Sequence, residues 1–299
     1  MRARILGSVA LVGLLSGVAI AQTPAPDAAT WAADLARQYW VAGNITYLVA
    51  DGYEAKIDVF VPRHASAAAL APAVIYLHGG GWTGGDKSTA ALRVMPYLEM
   101  GFAAVAVNYR LALAPAAVED CRCALRWVIA NAAKYNIDPD RLVVTGESAG
   151  GHLALITGML PSSAGLDGNC PGPEELRVAA IVNWYGCTDI VDVIGGENEK
   201  PFAVNWLGDR SDREEIARRV SPVQYVRAGL PPILTVHGDA DAIAPYNHAV
   251  RLHEALEAAR VPNRLLTVPG GDHGSFTREA NLTVYAGIRE FLAAHGIAR

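Results

Sequence analysis

The sequence predicts an α/β protein with a doubly wound, mostly parallel sheet of about eight strands, because strand-like and helix-like segments alternate along it. Repeated strand–helix–strand units are joined by right-handed crossovers, which place helices on both faces of the sheet. Several strand-like segments are continuous runs of Val, Ile, Ala and Leu, as expected of strands that are covered on both faces. The 299 residues, of which 52% are hydrophobic, suffice for one large domain.

The predicted elements follow one another at regular intervals after a short N-terminal helix. The predicted strands are Ala55–Val61, Ala73–Leu77, Ala103–Tyr109, Arg141–Thr145, Val178–Tyr185, Pro232–Val236 and Arg264–Val268. The predicted helices are Ala29–Tyr39, Val118–Asn136, Gly151–Met159, Tyr246–Ala258 and Asn281–Ala294. Residues 187–226 interrupt this rhythm between two strands. Their length predicts a small cap insertion over the sheet, although a crossover helix with an irregular start fits equally well.

The first residues have the features of a secretory signal peptide. Arg2 and Arg4 precede the uncharged, mostly apolar run Ile5–Ile20, and Ala19–Ala21 has the small-x-small pattern of a cleavage site. We therefore expect an exported protein, periplasmic or secreted, rather than one held by an uncleaved anchor, for which the run is short. The expected division is signal peptide 1–21, N-terminal leader and edge segment 22–54, and main domain 55–299.

The charge pattern bears on the partners of the protein. Its formal net charge is −5, and its basic residues form no run. We therefore expect neither nucleic acid nor an anionic membrane surface as a partner. No segment after the signal peptide is long and apolar enough to span a bilayer, so no membrane span is expected after cleavage.

The four cysteines are Cys121, Cys123, Cys170 and Cys187, and no two of them have the CxxC spacing of a zinc site. An oxidising compartment permits disulfides. Cys170 and Cys187 lie on either side of the predicted strand Val178–Tyr185, and we predict a disulfide between them across the ends of that strand.

The strongest chemical signal is Gly146–Gly150 (GESAG), which lies between the predicted strand Arg141–Thr145 and the predicted helix Gly151–Met159. In this context GxSxG forms a sharp turn that exposes the serine at the end of the strand. Glycines flank the serine because neighbouring backbone passes where a β-carbon would clash. The positive end of the following helix then lies behind Ser148. We interpret Ser148 as a nucleophile.

A second motif, His78–Trp82 (HGGGW), directly follows the predicted strand Ala73–Leu77. Acyl transfer develops negative charge on the substrate carbonyl oxygen, and fixed backbone N–H groups must stabilise it. Glycines allow a loop to approach the substrate and to turn its N–H groups inward. Three glycines alone fit a tight corner better, but their combination with GxSxG favours an anion-binding loop.

Polar motifs also follow two later strands, as His237–Asp241 (HGDAD) and Gly270–Ser275 (GGDHGS). In open α/β sheets the carboxyl ends of the strands hold the functional site. The order serine, aspartate, histidine along the chain makes His273 the expected base. Spacing alone allows either Asp239 or Asp241 to be the acid that orients it.

The same residues allow a metal-binding alternative. His237, Asp239 and Asp241 offer nitrogen and oxygen ligands, but no second cluster with ligand spacing accompanies them. We therefore expect neither a metal nor any other cofactor.

The four motifs together resemble the α/β-hydrolase family. The resemblance is greatest to hormone-sensitive-lipase-like carboxylesterases and to a bacterial group that includes feruloyl-esterase-like enzymes. It extends from Ala55 to the C-terminus. The segments that carry it are Val74–Trp82, Val107–Arg110, Ala117–Cys121, Gly146–His152 and Ser221–Pro222.

This resemblance implies an α/β-hydrolase fold and a catalytic triad in which the family pattern HGxxD assigns the acid to Asp241. It also implies an oxyanion hole formed by the N–H groups of Gly80, Gly81 and Ala149. The segment before Ala55 is shorter than the helical cap of typical hormone-sensitive-lipase relatives, so the resemblance does not define the substrate pocket.

We therefore expect a serine carboxylesterase that acts on small-molecule or carbohydrate-linked esters, with short acyl or aryl groups. The alternatives are a feruloyl or acetylxylan esterase, an amidase or peptidase, and a non-catalytic binding module, which would be expected to lack a triad residue. Trp82, Trp184 and Tyr185 lie near strand ends, where they line the pocket or belong to the core.

Overall fold

The computed structural model describes residues 28–298, which form one eight-stranded sheet with helices on both faces. The strands are β1 (Tyr39–Ala50), β2 (Tyr53–Pro62), β3 (Ala71–Leu77), β4 (Ala103–Val107), β5 (Ile137–Glu147), β6 (Ala180–Trp184), β7 (Ile233–Gly238) and β8 (Asn263–Val268). The helices are α1 (Ala28–Gln38), α2 (Ala90–Glu99), α3 (Ala116–Asn131), α4 (Ala149–Met159), α5 (Pro201–Leu207), α6 (Arg213–Arg219), α7 (Asn247–Ala258) and α8 (Arg278–Ala294).

The order of strands in the sheet is β1-β2-β4-β3-β5-β6-β7-β8. The β1–β2 and β2–β4 pairs are antiparallel, whereas every pair from β4–β3 to β7–β8 is parallel. The predicted doubly wound, mostly parallel sheet is therefore confirmed. Because the parallel strands end at the same edge, the loops that follow them share one side of the molecule.

Side chains of the central strands alternate between two apolar clusters, one on each face of the sheet. On β3, Ile75 and Leu77 belong to the larger cluster, which α3, α4 and α7 cover. Val74 and Tyr76 belong to the smaller cluster, which α2 and α8 cover. Burial on both faces explains the continuous apolar runs in the sequence.

The antiparallel edge strand β1 lies in the segment 22–54, where the sequence analysis predicted no strand. Its register with β2 shifts between Ala42 and Ile45 and again between Thr46 and Leu48. These irregularities interrupt the alternation of apolar and polar residues that marks a half-buried strand. The pattern in the sequence therefore does not reveal β1.

Residues 187–226 contain the short helices α5 and α6 and several 3-10 turns. The segment packs on the main domain through Trp206 and Leu207, which are completely buried in the larger cluster. Its two ends are joined to each other, since the N–H of Ile190 donates to the Ser221 hydroxyl at 2.8 Å. The segment is thus an ordered part of the domain surface.

The predicted disulfide between Cys170 and Cys187 is wrong, because Cys170 is bonded to Cys123 and Cys187 is a free, buried thiol. Cys170 and Cys187 lie beyond opposite ends of β6, and the length of the strand keeps them apart. The loop that holds Cys170 instead folds back on α3. There the Arg126 guanidinium donates to the carbonyl oxygens of Asp167 and Cys170.

The predicted signal peptide at 1–21 lies outside the described residues. Within residues 28–298, no helix has both the length and the apolar character needed to cross a bilayer.

The disulfide predicts a measurable dependence of stability on reductant. The two cysteines are 47 residues apart, and closing a loop of this size stabilises a fold by about 2–4 kcal/mol. The free energy of unfolding in urea should fall by that amount when the wild type is reduced. The double variant Cys123→Ser/Cys170→Ser should show no dependence on reductant. Titration of denatured, unreduced protein should detect the thiols of Cys121 and Cys187 alone, and four reactive thiols would contradict the pairing.

Candidate active site

Four loops converge at the edge of the sheet where the parallel strands end. Ser148 follows β5, the glycine loop 79–81 follows β3, Asp241 follows β7 and His273 follows β8. All of these strands belong to the parallel part of the sheet. The topology therefore brings together the residues that the sequence analysis selected from distant motifs.

Ser148 has a backbone conformation that residues other than glycine rarely adopt, with φ +55° and ψ −119°. Its N–H donates to the carbonyl of Trp184 on the neighbouring strand at 2.9 Å, which holds the turn against β6. A β-carbon on Gly150 would collide with the carbonyl of Leu77, so the second glycine of the motif is required by close backbone approach. The turn leaves the serine side chain in the cavity at the strand ends.

A chain of hydrogen bonds joins the predicted nucleophile, base and acid. His273 Nε2 lies 2.8 Å from Ser148 Oγ, and His273 Nδ1 lies 2.8 Å from Asp241 Oδ2. The other carboxylate oxygen of Asp241 accepts the N–H groups of Ile243 and Ala244 at 2.8 and 2.9 Å. This is the arrangement in which an imidazole accepts the serine proton while a carboxylate orients the ring.

The structure distinguishes the two aspartates that the spacing left open. Asp239 Oδ1 accepts the N–H of Gly270 at 2.6 Å and so ties the two loops together, while Asp241 contacts His273. Within residues 28–298, His, Cys, Asp and Glu side chains form no cluster of three or more that is arranged to hold a metal ion.

The carboxylate of Asp241 stays ionised although its side chain is buried. Burial raises the pKa of Asp241, but hydrogen bonds from His237, His273 and the backbone of Ala244 outweigh this and bring the pKa well below its ordinary value. An ionised acid at this position favours the imidazolium form that His273 takes after accepting a proton.

The serine opens into a cavity of about 430 Å³. Gly80 and Gly81 have φ of +119° and +59°, which turns this loop toward the cavity. Among the backbone hydrogen bonds of loops and helix caps in residues 28–298, none is donated by the N–H groups of Gly80, Gly81 or Ala149. The cavity is lined by Gly79, Gly80, Gly81, Trp82, Thr83, Glu147, Ser148, Ala149, Tyr185, Cys187, Phe202, Ile243, Ala244 and His273. The three predicted oxyanion donors therefore lie beside the serine.

Of the three predicted pocket aromatics, Trp82 and Tyr185 line the cavity and Trp184 does not. Trp184 is two residues beyond Val182 on β6, so it faces the same helical layer as Val182, and its ring packs 5.2 Å from that of Tyr285. Trp184 is thus a core residue, and its assignment to the pocket is wrong.

Trp82 connects the glycine loop to the rest of the domain. Its indole N–H donates to His152 Nδ1 at 3.0 Å, and its ring stacks on Trp206 of α5 at 4.2 Å. His152 Nε2 lies 2.7 Å from the carbonyl of Val220. Burial lowers the pKa of His152 to about 4, so the ring is neutral at pH 7 and donates to Val220. These contacts hold the loop, α4 and the segment 187–226 in one arrangement.

Several lining residues were not predicted as part of the site from the sequence, among them Phe202, Ile243 and Cys187. Phe202 on α5 and Ile243 form apolar walls, and Cys187 follows β6. Burial raises the pKa of the Cys187 thiol to about 12, and nearby Asp241 adds to the effect. The thiol is therefore protonated at pH 7 and does not compete with Ser148 as a nucleophile.

Glu147, next to the nucleophile, belongs to a network that supports the base. Burial raises the pKa of Glu147. The charge of Arg93, whose Nε lies 3.0 Å from Glu147 Oε1, opposes this rise. Hydrogen bonds from the hydroxyls of Tyr185 and Tyr76 also lower the pKa. The Tyr185 ring meets the His273 ring edge-on at 4.7 Å. Glu147 therefore fixes the tyrosine that packs against the imidazole.

Comparison with known proteins identifies relatives that match most of the chain. The BD-FAE family profile matches residues 57–256. Esterase LipC of Mycobacterium tuberculosis is 30% identical over 237 residues, which are 76% of this chain and 57% of LipC. The chain thus spans little more than half the length of this curated relative.

Two solved structures resemble the fold closely. A thermophilic esterase, Est2, from the Planctomycetes species Thermogutta terrifontis superposes with a TM-score of 0.71 at 28% identity, covering 87% of this chain and 94% of that one. A truncated form of a carbohydrate esterase from gut microbiota gives a TM-score of 0.70 at 27% identity, covering 85% and 97%. The resemblance to α/β-hydrolase serine esterases is confirmed.

The buried imidazole of His152 predicts a loss of stability in acid. Its pKa is about 4 in the folded protein against about 6.5 in the unfolded chain, so below pH 6.5 the unfolded chain binds the extra proton. Between pH 7 and pH 5 the wild type should lose about 2 kcal/mol more than His152→Gln, whose amide retains both a donor and an acceptor. Urea unfolding at the two pH values measures this difference. Equal losses in the two proteins would contradict the neutral, buried state.

Proposed function

Since the chain belongs to the BD-FAE family, we propose that it is a serine carboxylesterase that cleaves carboxylic esters through an acyl-enzyme. The observation that carries the proposal is the continuous hydrogen-bond chain from Ser148 through His273 to Asp241. It ends in a cavity that the glycine loop also lines, so nucleophile and oxyanion donors face the same space.

In the first half-reaction, His273 removes the hydroxyl proton of Ser148 as the serine oxygen attacks the ester carbonyl carbon. The N–H groups of Gly80, Gly81 and Ala149 stabilise the oxyanion, and a donor of this kind contributes about 2.7–4 kcal/mol. The tetrahedral intermediate then collapses. The bond to the alcohol oxygen breaks, the alcohol takes the proton from His273, and the acyl group remains on Ser148.

In the second half-reaction, water enters and gives a proton to His273 while its oxygen attacks the acyl carbonyl. The same donors stabilise the second oxyanion. The bond to the serine oxygen then breaks, the carboxylic acid leaves, and the proton returns from His273 to Ser148. Asp241 keeps the imidazole in one orientation and favours its charged form during both steps.

The walls of the cavity favour small acyl or aryl groups. Trp82 is fixed from behind by His152 and Trp206 and so cannot move aside without breaking these contacts. Phe202 and Ile243 border the remaining space of about 430 Å³. A cavity of this size accommodates a short acyl or aryl group together with a small alcohol.

The assignment of the acid predicts a strong contrast between two matched variants. Asp241→Asn should lower kcat for 4-nitrophenyl acetate by about 10⁴-fold, because the amide no longer holds His273 in the required tautomer. Asp239→Asn should keep nearly wild-type activity, because its amide oxygen still accepts the N–H of Gly270. Steady-state kinetics and thermal unfolding of both variants give the comparison. Similar losses in the two, with both folded, would contradict the assignment.

A second candidate function is the removal of acyl groups from polysaccharides. It is favoured by the structural likeness to a carbohydrate esterase and by the resemblance of the sequence motifs to feruloyl-esterase-like enzymes. A further groove lined by Thr89, Arg93, Asn281 and Tyr285 offers room for a larger alcohol group, and Arg93 pairs with Glu147, which lines the catalytic cavity.

A substrate panel separates the two candidates. If polysaccharide is the substrate, acetylated xylan or methyl ferulate should be hydrolysed with a kcat/KM at least about tenfold above that for ethyl acetate, a small ester that likewise has an alkyl leaving group, since binding of the larger substrate contributes to transition-state stabilisation. Ser148→Ala is the control, and 4-nitroacetanilide tests the amidase alternative. Preference for ethyl acetate over both plant-type esters would contradict the polysaccharide role and leave the small-ester role.

We also propose that the protein is exported. The signal-peptide features of residues 1–21 support this proposal, as does the Cys123–Cys170 disulfide, because such bonds form and persist in oxidising compartments.

A further inference from the structure

A second histidine contacts the carboxylate that orients His273. His237 lies near the end of β7 and is completely buried. Its Nε2 lies 3.2 Å from Asp241 Oδ2 and 3.0 Å from the carbonyl oxygen of Ala244. The same Oδ2 lies 2.8 Å from His273 Nδ1. Two imidazoles therefore share one carboxylate oxygen.

The surroundings of His237 fix the position of its proton. Both groups within reach of Nε2, the carboxylate of Asp241 and the carbonyl of Ala244, are acceptors, so Nε2 carries the hydrogen. Nδ1 is buried and has no hydrogen-bond partner among residues 28–298. A second proton, on Nδ1, would leave a buried N–H without an acceptor on a charged ring. This would raise the free energy of the folded protein. His237 therefore donates through Nε2.

We propose that His237 is a positioning residue of the hydrolytic site, which sets how strongly Asp241 attracts the protonated form of His273. The inference rests on the proposed esterase function. A carboxylate that already accepts an N–H has less electron density to offer to a second donor. With His237 in place, Asp241 Oδ2 faces two N–H donors, so it orients His273 while attracting the imidazolium less strongly than an unshared carboxylate would.

Other titratable groups surround this pair. They are Asp239 and Asp272 on the loops after β7 and β8, Cys187 and Lys200 on the segment 187–226, Glu147 at the end of β5, Tyr185 after β6, and Tyr246 before α7. Lys200 Nζ donates to the carbonyl of Ala242 at 3.1 Å and so does not contact the Asp241 carboxylate. Among the described side chains, His273 Nδ1 and His237 Nε2 lie 2.8 and 3.2 Å from Asp241 Oδ2, and the N–H of His237 is shared between this oxygen and the closer carbonyl of Ala244.

The inference is tested by the pH dependence of kcat/KM in matched variants. His237→Leu fills the space but removes the donor, and His237→Gln retains an N–H at a position similar to Nε2. In His237→Leu, Asp241 holds the His273 imidazolium more tightly. The acid limb of the profile for 4-nitrophenyl acetate should therefore shift upward by about half a pH unit to one unit. His237→Gln should restore the limb to within about 0.2 unit of the wild type.

Two results would overturn the inference. One is an acid limb that is unchanged in His237→Leu, and the other is an equal shift in His237→Leu and His237→Gln, which would indicate packing rather than donation. If His237→Leu does not fold, His237→Asn replaces it, because its shorter amide does not reach Asp241 Oδ2. Wild type and Asp241→Asn are measured in the same series, the first as the active reference and the second as the variant without the carboxylate. An inactive wild type refutes the esterase function, whereas an active wild type with an unshifted variant refutes only the role of His237.

Discussion

The hydrogen bond between Ser148 and His273 is the contact on which the rest of the site depends. It joins side chains 125 residues apart in the sequence. It forms because β5 and β8 are parallel strands of one sheet and end at the same edge. The turn after β5 gives Ser148 a positive φ, at a cost of about 1–3 kcal/mol that the surrounding packing must offset. The buried helix α4 and the strand pair β5–β6 provide that packing.

Sequence reasoning was successful where a local pattern determines the structure. The parallel strands are buried on both faces. Their sequences are therefore continuous apolar runs, whichever side chains pack against them. The turn around Ser148 needs glycines because the carbonyl of Leu77 on β3 lies where β-carbons on Gly146 and Gly150 would be, and the sequence shows this requirement as a short motif between a strand and a helix. The chain order of the fold then selected His273, and the structure brings these side chains within hydrogen-bonding distance.

The features that the sequence did not reveal depend on contacts between distant segments. The partner of Cys170 is decided by a loop that folds back on α3, which no spacing of cysteines encodes. Trp184 and Tyr185 are adjacent in sequence, yet only Tyr185 reaches the cavity, because its φ of +40° turns the chain at the end of β6. Phe202 lies in a segment without a motif, and only the packing of α5 places it beside Ser148. Cavity walls and disulfide partners are therefore tertiary properties without a local signature, whereas the reactive turn is marked by a short motif.

The most direct test of the account is covalent labelling with a fluorophosphonate, which reacts with a serine that a neighbouring base activates. After incubation at pH 7 and proteolysis, mass spectrometry should locate one phosphonyl group on Ser148 in the wild type. Ser148→Ala should remain unlabelled while it unfolds at the wild-type temperature. An unmodified Ser148 in folded wild-type protein, or a label on another serine that persists in Ser148→Ala, would contradict the proposal that this hydrogen-bond chain activates the nucleophile.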